Sequence, residues 1–492
     1  MRFRSFTGAA HFCYTHINVK ILFCSSEVTP YAKTGGLADV SSALPAELNR
    51  QGIDCEVIMP LYGSVRSMDL PLEHVTDLSF LCGSGMLHAQ IFRYGIVNFI
   101  ENTLFFKRDG VYTYAGDDYP DNLERFSFFS RACAEYLLHR RDIDIIHCND
   151  WQTALVPAYI REMGIEDISS LFTIHNLAYQ GSYHPSLWNI LMLPRDYYSP
   201  EYLEFFGRIN VLKAGLIFSD GVNTVSPTYA REIQTPEFGA GLDGLLRSIS
   251  FKLSGITNGI DIEAWNPSSD PLIASQFSIT DLSGKEDCKT HLQNLFNLTP
   301  GNKPLFGMIG RLVEQKGIDL VLSSARDMVN LGCQVVILGN GDPTYEKKLA
   351  EITRVYRDNI GSHIGFDETL AHAIEAGSDF FLMPSRFEPC GLNQMISMRL
   401  GTIPIVTAVG GLKDTVVAYQ EGEHPWGLRV KRPTTEALLT TVRTAHTLYT
   451  SRPDLLRQLR INAMAQDVSW TCSAQRYAEL YTNLKDFKER TR

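Results

Sequence analysis

Short apolar runs alternate with helix-length amphipathic stretches along almost the entire chain, in two successive series. A strand that is apolar throughout is covered on both faces, and a helix between two such strands supplies the crossover that parallel neighbours need. The first series is Val19–Cys24, Cys55–Met59, Ile143–Cys148, Leu171–Ile174 and Gly221–Val225. The second follows Asn258: Leu305–Ile309, Gln334–Leu338, Phe380–Met383 and Ile403–Val406. Each series predicts a doubly wound α/β domain that binds ligands at the carboxyl ends of its strands. Two such domains facing one another enclose a deep cleft, with Leu253–Asn258 as the hinge. The length, 492 residues, is too great for one core and ample for two.

Both ends of the chain carry information. Trp470, Ala474, Tyr477, Tyr481 and Leu484 recur at helical spacing, so a terminal helix presents an apolar stripe that must dock. Residues 1–18 lack a continuous apolar segment and read as a flexible extension or an early start, not a secretory signal. No stretch approaches the roughly 20 apolar residues that cross a bilayer. The ten cysteines are scattered without a C-x-x-C pair, which argues against a zinc site or disulfide framework and for a reducing, cytoplasmic setting. A formal charge of −10 offers no general attraction for nucleic acid or an anionic membrane. Any phosphate must therefore be held by a few placed cations, which favours a small-ligand enzyme.

Four clusters carry such chemistry. Lys33-Thr34-Gly35-Gly36-Leu37 follows the first strand and opens a helix, so its amides and the helix dipole are available to a phosphate. Asp150 and His175-Asn176 lie just past two apolar strands, where a carboxylate, an imidazole or a main-chain carbonyl can meet sugar hydroxyls or a developing positive centre. Arg311 and Lys316 are spaced to neutralise a diphosphate leaving group. Pro384 to Asn393 places Glu388 before a helix start. A surface loop explains any one of these clusters taken alone, and does not explain the set. Gly239-Ala240-Gly241-Leu242-Asp243-Gly244 fits G-x-G-x-x-G but follows no buried strand, so it is read as a loop and not as a dinucleotide site. Asp142-Ile143-Asp144 resembles a metal-binding pair but leads into a strand, and solvation is the preferred reading.

Together these residues resemble the bacterial glycogen and plant starch synthases, glycosyltransferase family five. The matching motifs are Lys33–Leu37, Asp117–Asn122, His175–Gly181, Asn258–Asp261, Gly310–Leu312, Glu388–Leu392 and Gly410–Leu412, in family order from about Val19 to the C-terminus. The resemblance implies a GT-B architecture of two Rossmann-like domains. The boundaries expected are 19–255 for the acceptor-side domain, 256–465 for the donor-side domain, and 466–492 for a helix crossing back to the first. It implies retaining transfer of glucose from ADP-glucose to the non-reducing 4-hydroxyl of an α-1,4-glucan, without a metal or other cofactor.

Residue by residue, the resemblance assigns Lys33, Thr34, Gly35 and Gly36 to the donor and its phosphates. Arg311 and Lys316 hold the diphosphate. Glu388, Cys390, Gly391, Leu392 and Asn393 hold glucose and phosphate, and Asn258 lies at the hinge side. Asp150, His175 and Asn176 frame the anomeric carbon, and Tyr112 matches a sugar-contacting tyrosine. Two departures stand out. Phe366 occupies a place where the family often has a tyrosine stacked on the donor base, and Asn393 one where it usually has threonine. UDP-glucose therefore remains an alternative donor. The rival readings are a related retaining GT-B transferase and a non-catalytic glucan-binding regulator.

Overall fold

A computed structural model describes residues 19–82, 85–114, 116–419 and 421–491. Residues 1–18, read as an extension, lie outside the described residues. The rest divides into two units: one holds residues up to Val225, Ala230–Ile256 and the C-terminal Trp470 onward, the other Ser226–Tyr229 and Thr257–Ser469.

The first unit is built on a nine-stranded sheet. Lys20–Cys24 lies at its centre, with Phe23 opposite Val57 on one side and His147 on the other. Its residues Ile21, Leu22, Phe23 and Cys24 are fully buried, as an apolar run covered by helices requires. Seven strands run parallel, in the order Leu253–Gly255, Gly221–Thr224, Ser169–Ile174, Ile145–Asn149, Lys20–Cys24, Asp54–Pro60 and Val97–Glu101. An antiparallel hairpin, Glu73–Cys82 and Gly85–Tyr94, extends the Val97 edge. Its strands alternate buried and exposed positions, so they carry none of the continuous apolar signal of the central strands. Leu253–Gly255, read from sequence as the beginning of a hinge, is an edge strand of this sheet. The division between units falls after Ile256.

The helix Trp470–Thr491 closes the first unit. Its predicted stripe is buried along its whole length, with Ala474, Tyr477 and Tyr481 fully enclosed. Each deep tyrosine also satisfies its hydroxyl: Tyr481 bonds His147 Nδ1 at 2.7 Å, and Tyr477 accepts from Asn223 Nδ2 at 2.9 Å. Lys485 pairs with Asp144 at 2.8 Å. The Asp142-Ile143-Asp144 pair is therefore not merely solvated: Asp142 takes Arg140 Nε at 2.8 Å, and Asp144 Oδ2 takes the Lys20 amide at 2.8 Å.

The second unit has a six-stranded, wholly parallel sheet in the order Ile360–Ile364, Gln334–Gly339, Leu305–Ile309, Phe380–Met383, Ile403–Thr407 and Leu428–Val430. Beneath it the buried carboxylate of Asp379 is compensated by Lys289 Nζ at 2.7 Å and Arg460 Nη2 at 2.6 Å. Among the described residues, no helix is long and apolar enough to cross a membrane.

Candidate active site

The carboxyl ends of the parallel strands collect the chemistry in both units. In the first unit, Asp150 follows the strand Ile145–Asn149 with φ at +56°, a backbone setting that costs a non-glycine residue about 1–3 kcal/mol. The turn aims its carboxylate at the end of the next strand, where Oδ1 accepts the amides of His175 at 2.8 Å and Asn176 at 3.4 Å. Burial pushes the Asp150 carboxyl up to about 7, against the two amide bonds, and the charge of Glu27 adds to the rise. His175 is driven the other way, down to about 3, by burial. Its Nε2 faces Asn149 Oδ1 at 2.9 Å, and Asn149 Nδ2 already donates to the Cys24 carbonyl. The imidazole is thus neutral with its proton on Nε2, which leaves Nδ1 as an acceptor.

Glu27 is the residue sequence reasoning missed. It follows the central strand, is almost fully buried, and collects four donors. Its Oε2 accepts the amides of Thr34 and Gly35, the latter at 3.2 Å, and Oε1 accepts Thr34 Oγ1 at 2.7 Å and Tyr112 Oη at 2.6 Å. In this structure an internal carboxylate fills the anion position that the Thr34 and Gly35 amides create. Lys33 Nζ pairs with Asp39 Oδ1 at 2.7 Å, and a side chain at Gly35 would meet only open space. A carboxylate three residues past the first buried strand, eight residues before the glycine pair, was the available signal.

In the second unit, Arg311 follows the strand Leu305–Ile309, and its Nη2 donates to Gln315 Oε1 at 3.3 Å. Lys316 Nζ donates to Glu388 Oε2 at 2.6 Å, and Ser385 Oγ reaches the same oxygen at 3.1 Å. Glu388 itself is buried, while the lysine keeps about a quarter of its side chain in contact with solvent. The Glu388–Cys390 backbone crosses directly over Gly410-Gly411. A Cβ on Gly410 would lie 1.9 Å from the Glu388 carbonyl oxygen, and one on Gly411 2.2 Å from that of Cys390, so this pair of positions admits only glycine. Burial pushes the Cys390 thiol up to about 12, although the Asn258 amide bonds toward it. Asn258 Oδ1 is buried without a hydrogen-bond partner, an acceptor left over for a donor not supplied by the described residues. Asn393 begins the helix Asn393–Arg399 and donates from Nδ2 to the Ile309 carbonyl at 3.2 Å. Phe366 projects from the loop after Ile360–Ile364 and is 76% exposed.

Residues 20–248 match the starch synthase catalytic domain model, and residues 294–458 match the model for glycosyl transferases group 1. A protein called glycogen synthase from Myxococcus xanthus (strain DK1622) is 45% identical over 95% of this chain and 99% of its own length. The chain belongs to the glycogen synthase family. Another glycogen synthase, from Cellvibrio japonicus (strain Ueda107), is 44% identical over 94% of this chain and 99% of its own. The catalytic domain of starch synthase IV from Arabidopsis thaliana, solved with ADP and acarbose, superposes with a TM-score of 0.87 at 34% identity, covering 95% of this chain and 99% of that one. Sucrose-phosphate synthase from Thermosynechococcus elongatus shares the fold at a TM-score of 0.60 and 18% identity.

This glycogen synthase family member is a glycosyltransferase with the GT-B fold of two Rossmann-like domains, as the resemblance implied. Within the first unit the structure brings Asp150, His175 and Asn176 together through shared hydrogen bonds, and Tyr112 to the Lys33–Gly36 loop through Glu27. Within the second it joins Lys316 to Glu388, and Asn258 to Cys390.

Proposed function

We propose that this chain lengthens α-1,4-glucan chains by retaining transfer of glucose from ADP-glucose in the cytoplasm. The observation that carries the reading is the half-buried Lys316–Glu388 pair at the carboxyl end of a parallel strand. It couples a cation suited to a diphosphate with a carboxylate suited to sugar hydroxyls. In the second unit, Arg311 and Lys316 neutralise the diphosphate as the bond from the glucose C1 to its phosphate oxygen breaks. Glu388 and the amides of Gly391 and Leu392 bind the glucosyl hydroxyls and the phosphate. Asn258 supplies its unpartnered acceptor, and Phe366 stacks on the donor base.

In the first unit, Asp150, the His175 carbonyl and Asn176 bear on the positive character that develops at C1. The glucan 4-hydroxyl attacks from the face the diphosphate leaves. Its proton passes to a leaving phosphate oxygen, so ADP and the lengthened chain are the products. The positive charge comes from side chains and helix amides in place of a metal ion. Reduced thiols at Cys24, Cys55, Cys133, Cys148, Cys288, Cys333, Cys390 and Cys472 support the cytoplasmic setting. The test is elongation of glycogen with ADP-glucose and UDP-glucose side by side. Chain growth with neither donor ends the reading, and growth with UDP-glucose alone reassigns the donor.

A further inference from the structure

The glycine-rich run Gly239–Gly244 is absorbed by none of the roles above, and its structural use leads to a second aromatic feature. Glu204–Phe205 and Arg208–Asn210 pair antiparallel with Phe205 opposite Arg208, so Phe206 and Gly207 form a two-residue hairpin turn. Both have positive φ, +50° and +75°, the pattern in which asparagine or glycine is favoured at the first position. A phenylalanine there is strained, because its Cβ crowds the backbone in the left-handed region. Burial does not offset that strain, since Phe206 is 84% exposed.

The ring is nevertheless held in place. Phe205 meets it edge-on at 4.6 Å between centroids, and Phe205 in turn lies against Gly241, where a Cβ would approach its Cζ to 2.9 Å. Gln180 ties the two loops together: its Nε2 donates to the Ala240 carbonyl at 3.1 Å, and its Oε1 accepts from Asn210 Nδ2 at 2.6 Å. Gln180 ends the segment that begins at His175 and Asn176, so the braced turn is continuous with the candidate site of this unit.

We propose that Phe206 is an aromatic platform on which a pyranose ring of the α-glucan acceptor chain stacks, an inference that rests on the glucan-elongating function above. A pyranose presents an apolar face of C–H bonds ringed by hydroxyls, and a rigid exposed aromatic ring matches that face. The surroundings select a sugar over a protein partner. Glu204 Oε1 accepts the Gly207 amide at 2.6 Å and Arg208 Nε donates to Ser182 Oγ at 2.8 Å, so bonded polar groups flank the turn that carries the ring, unlike the contiguous apolar patch that a protein interface presents.

The experiment compares the wild-type chain with Phe206→Asn and Phe206→Tyr. It measures KM for maltoheptaose and for ADP-glucose, retardation in glycogen-containing native gels without donor, and Tm. Phe206→Asn is expected to raise the maltoheptaose KM about 3- to 10-fold and weaken gel retardation, with the ADP-glucose KM unchanged. It is also expected to raise Tm by about 2–4 °C, because asparagine relieves the turn. Phe206→Tyr is expected to restore the glucan KM. A Phe206→Asn chain with wild-type glucan KM and retardation overturns the proposal, and so does one that loses glucan affinity and Tm together, since that marks a packing residue. A wild-type chain that neither lengthens nor binds glucan overturns the proposed function as well, which separates the two failures.

Discussion

Lys316 Nζ and Glu388 Oε2 stand 2.6 Å apart at the end of the strand Phe380–Met383, so each proposed ligand of the donor is also the other's counter-ion. Under the proposed function the lysine would turn to the diphosphate while Ser385 still holds the carboxylate. Glu388→Gln keeps the shape and removes the charge that poises Lys316. It should lower kcat about 100-fold, the scale of losing one preorganised electrostatic contact. Initial rates with saturating ADP-glucose check this, and a kcat within twofold of wild type would remove Glu388 from the site.

Glu27→Gln probes the carboxylate that organises the Lys33–Gly36 loop. A carboxamide offers one acceptor oxygen, and its NH2 group opposes whichever donors face it, either the Thr34 and Gly35 amides or the hydroxyls of Thr34 and Tyr112. The ADP-glucose KM should rise about 10-fold as the loop loses its position, the equivalent of one charge-assisted hydrogen bond. Because Tyr112 acts through the same oxygen, Tyr112→Phe should be markedly non-additive with Glu27→Gln. Independent, additive losses in a double-mutant cycle would break the proposed linkage.

Much of this was legible in the sequence, for a physical reason: buried parallel strands are apolar throughout, and ligand groups follow them at once. Val19–Cys24, Ile143–Cys148 and Phe380–Met383 announced both the sheets and the positions of Asp150 and Glu388. Edge elements were less legible. The hairpin Glu73–Cys82 and Gly85–Tyr94 alternates polar and apolar residues, and Leu253–Gly255 is too short to show a period. Glu27 escaped because two of its partners are backbone amides, which no residue pattern marks, and a third is the hydroxyl of Tyr112, 85 residues away in sequence. Which residue fills an anion position at a helix start depends on tertiary approach.

Cysteine reactivity offers a test of burial that does not require turnover. Cys390 is buried and its thiol is pushed up to about 12, whereas Cys472 is exposed on the terminal helix. Since the thiolate is the nucleophile, iodoacetamide at pH 8 should label Cys472 rapidly and leave Cys390 unmodified until the protein unfolds. Peptide mapping after brief labelling reads both sites. Rapid labelling of Cys390 in the folded chain would show that its loop is open to solvent.

Asp150 makes a pH-dependent prediction whose sign follows from its environment. Burial raises its carboxyl from 3.8 to about 7, so between those values the folded chain holds a proton that the unfolded chain has released. Stability from this group is therefore greatest at low pH and declines as pH rises toward 7, by on the order of 4 kcal/mol in all. His175, lowered to about 3, contributes the opposite slope, losing stability as pH falls from 6.5, but does so in wild type and variant alike. Asp150→Asn retains an oxygen to accept the His175 amide and never carries the buried charge. Its Tm should match wild type near pH 4, exceed it increasingly up to about pH 7 and hold a steady margin above, while its kcat deficit should be greatest above pH 7, where the wild-type carboxylate is ionised. Scanning calorimetry of both proteins from pH 4 to 8 supplies the comparison. A Tm difference that is flat with pH would mean that the carboxyl is ionised in the folded chain throughout, and that burial does not set its charge.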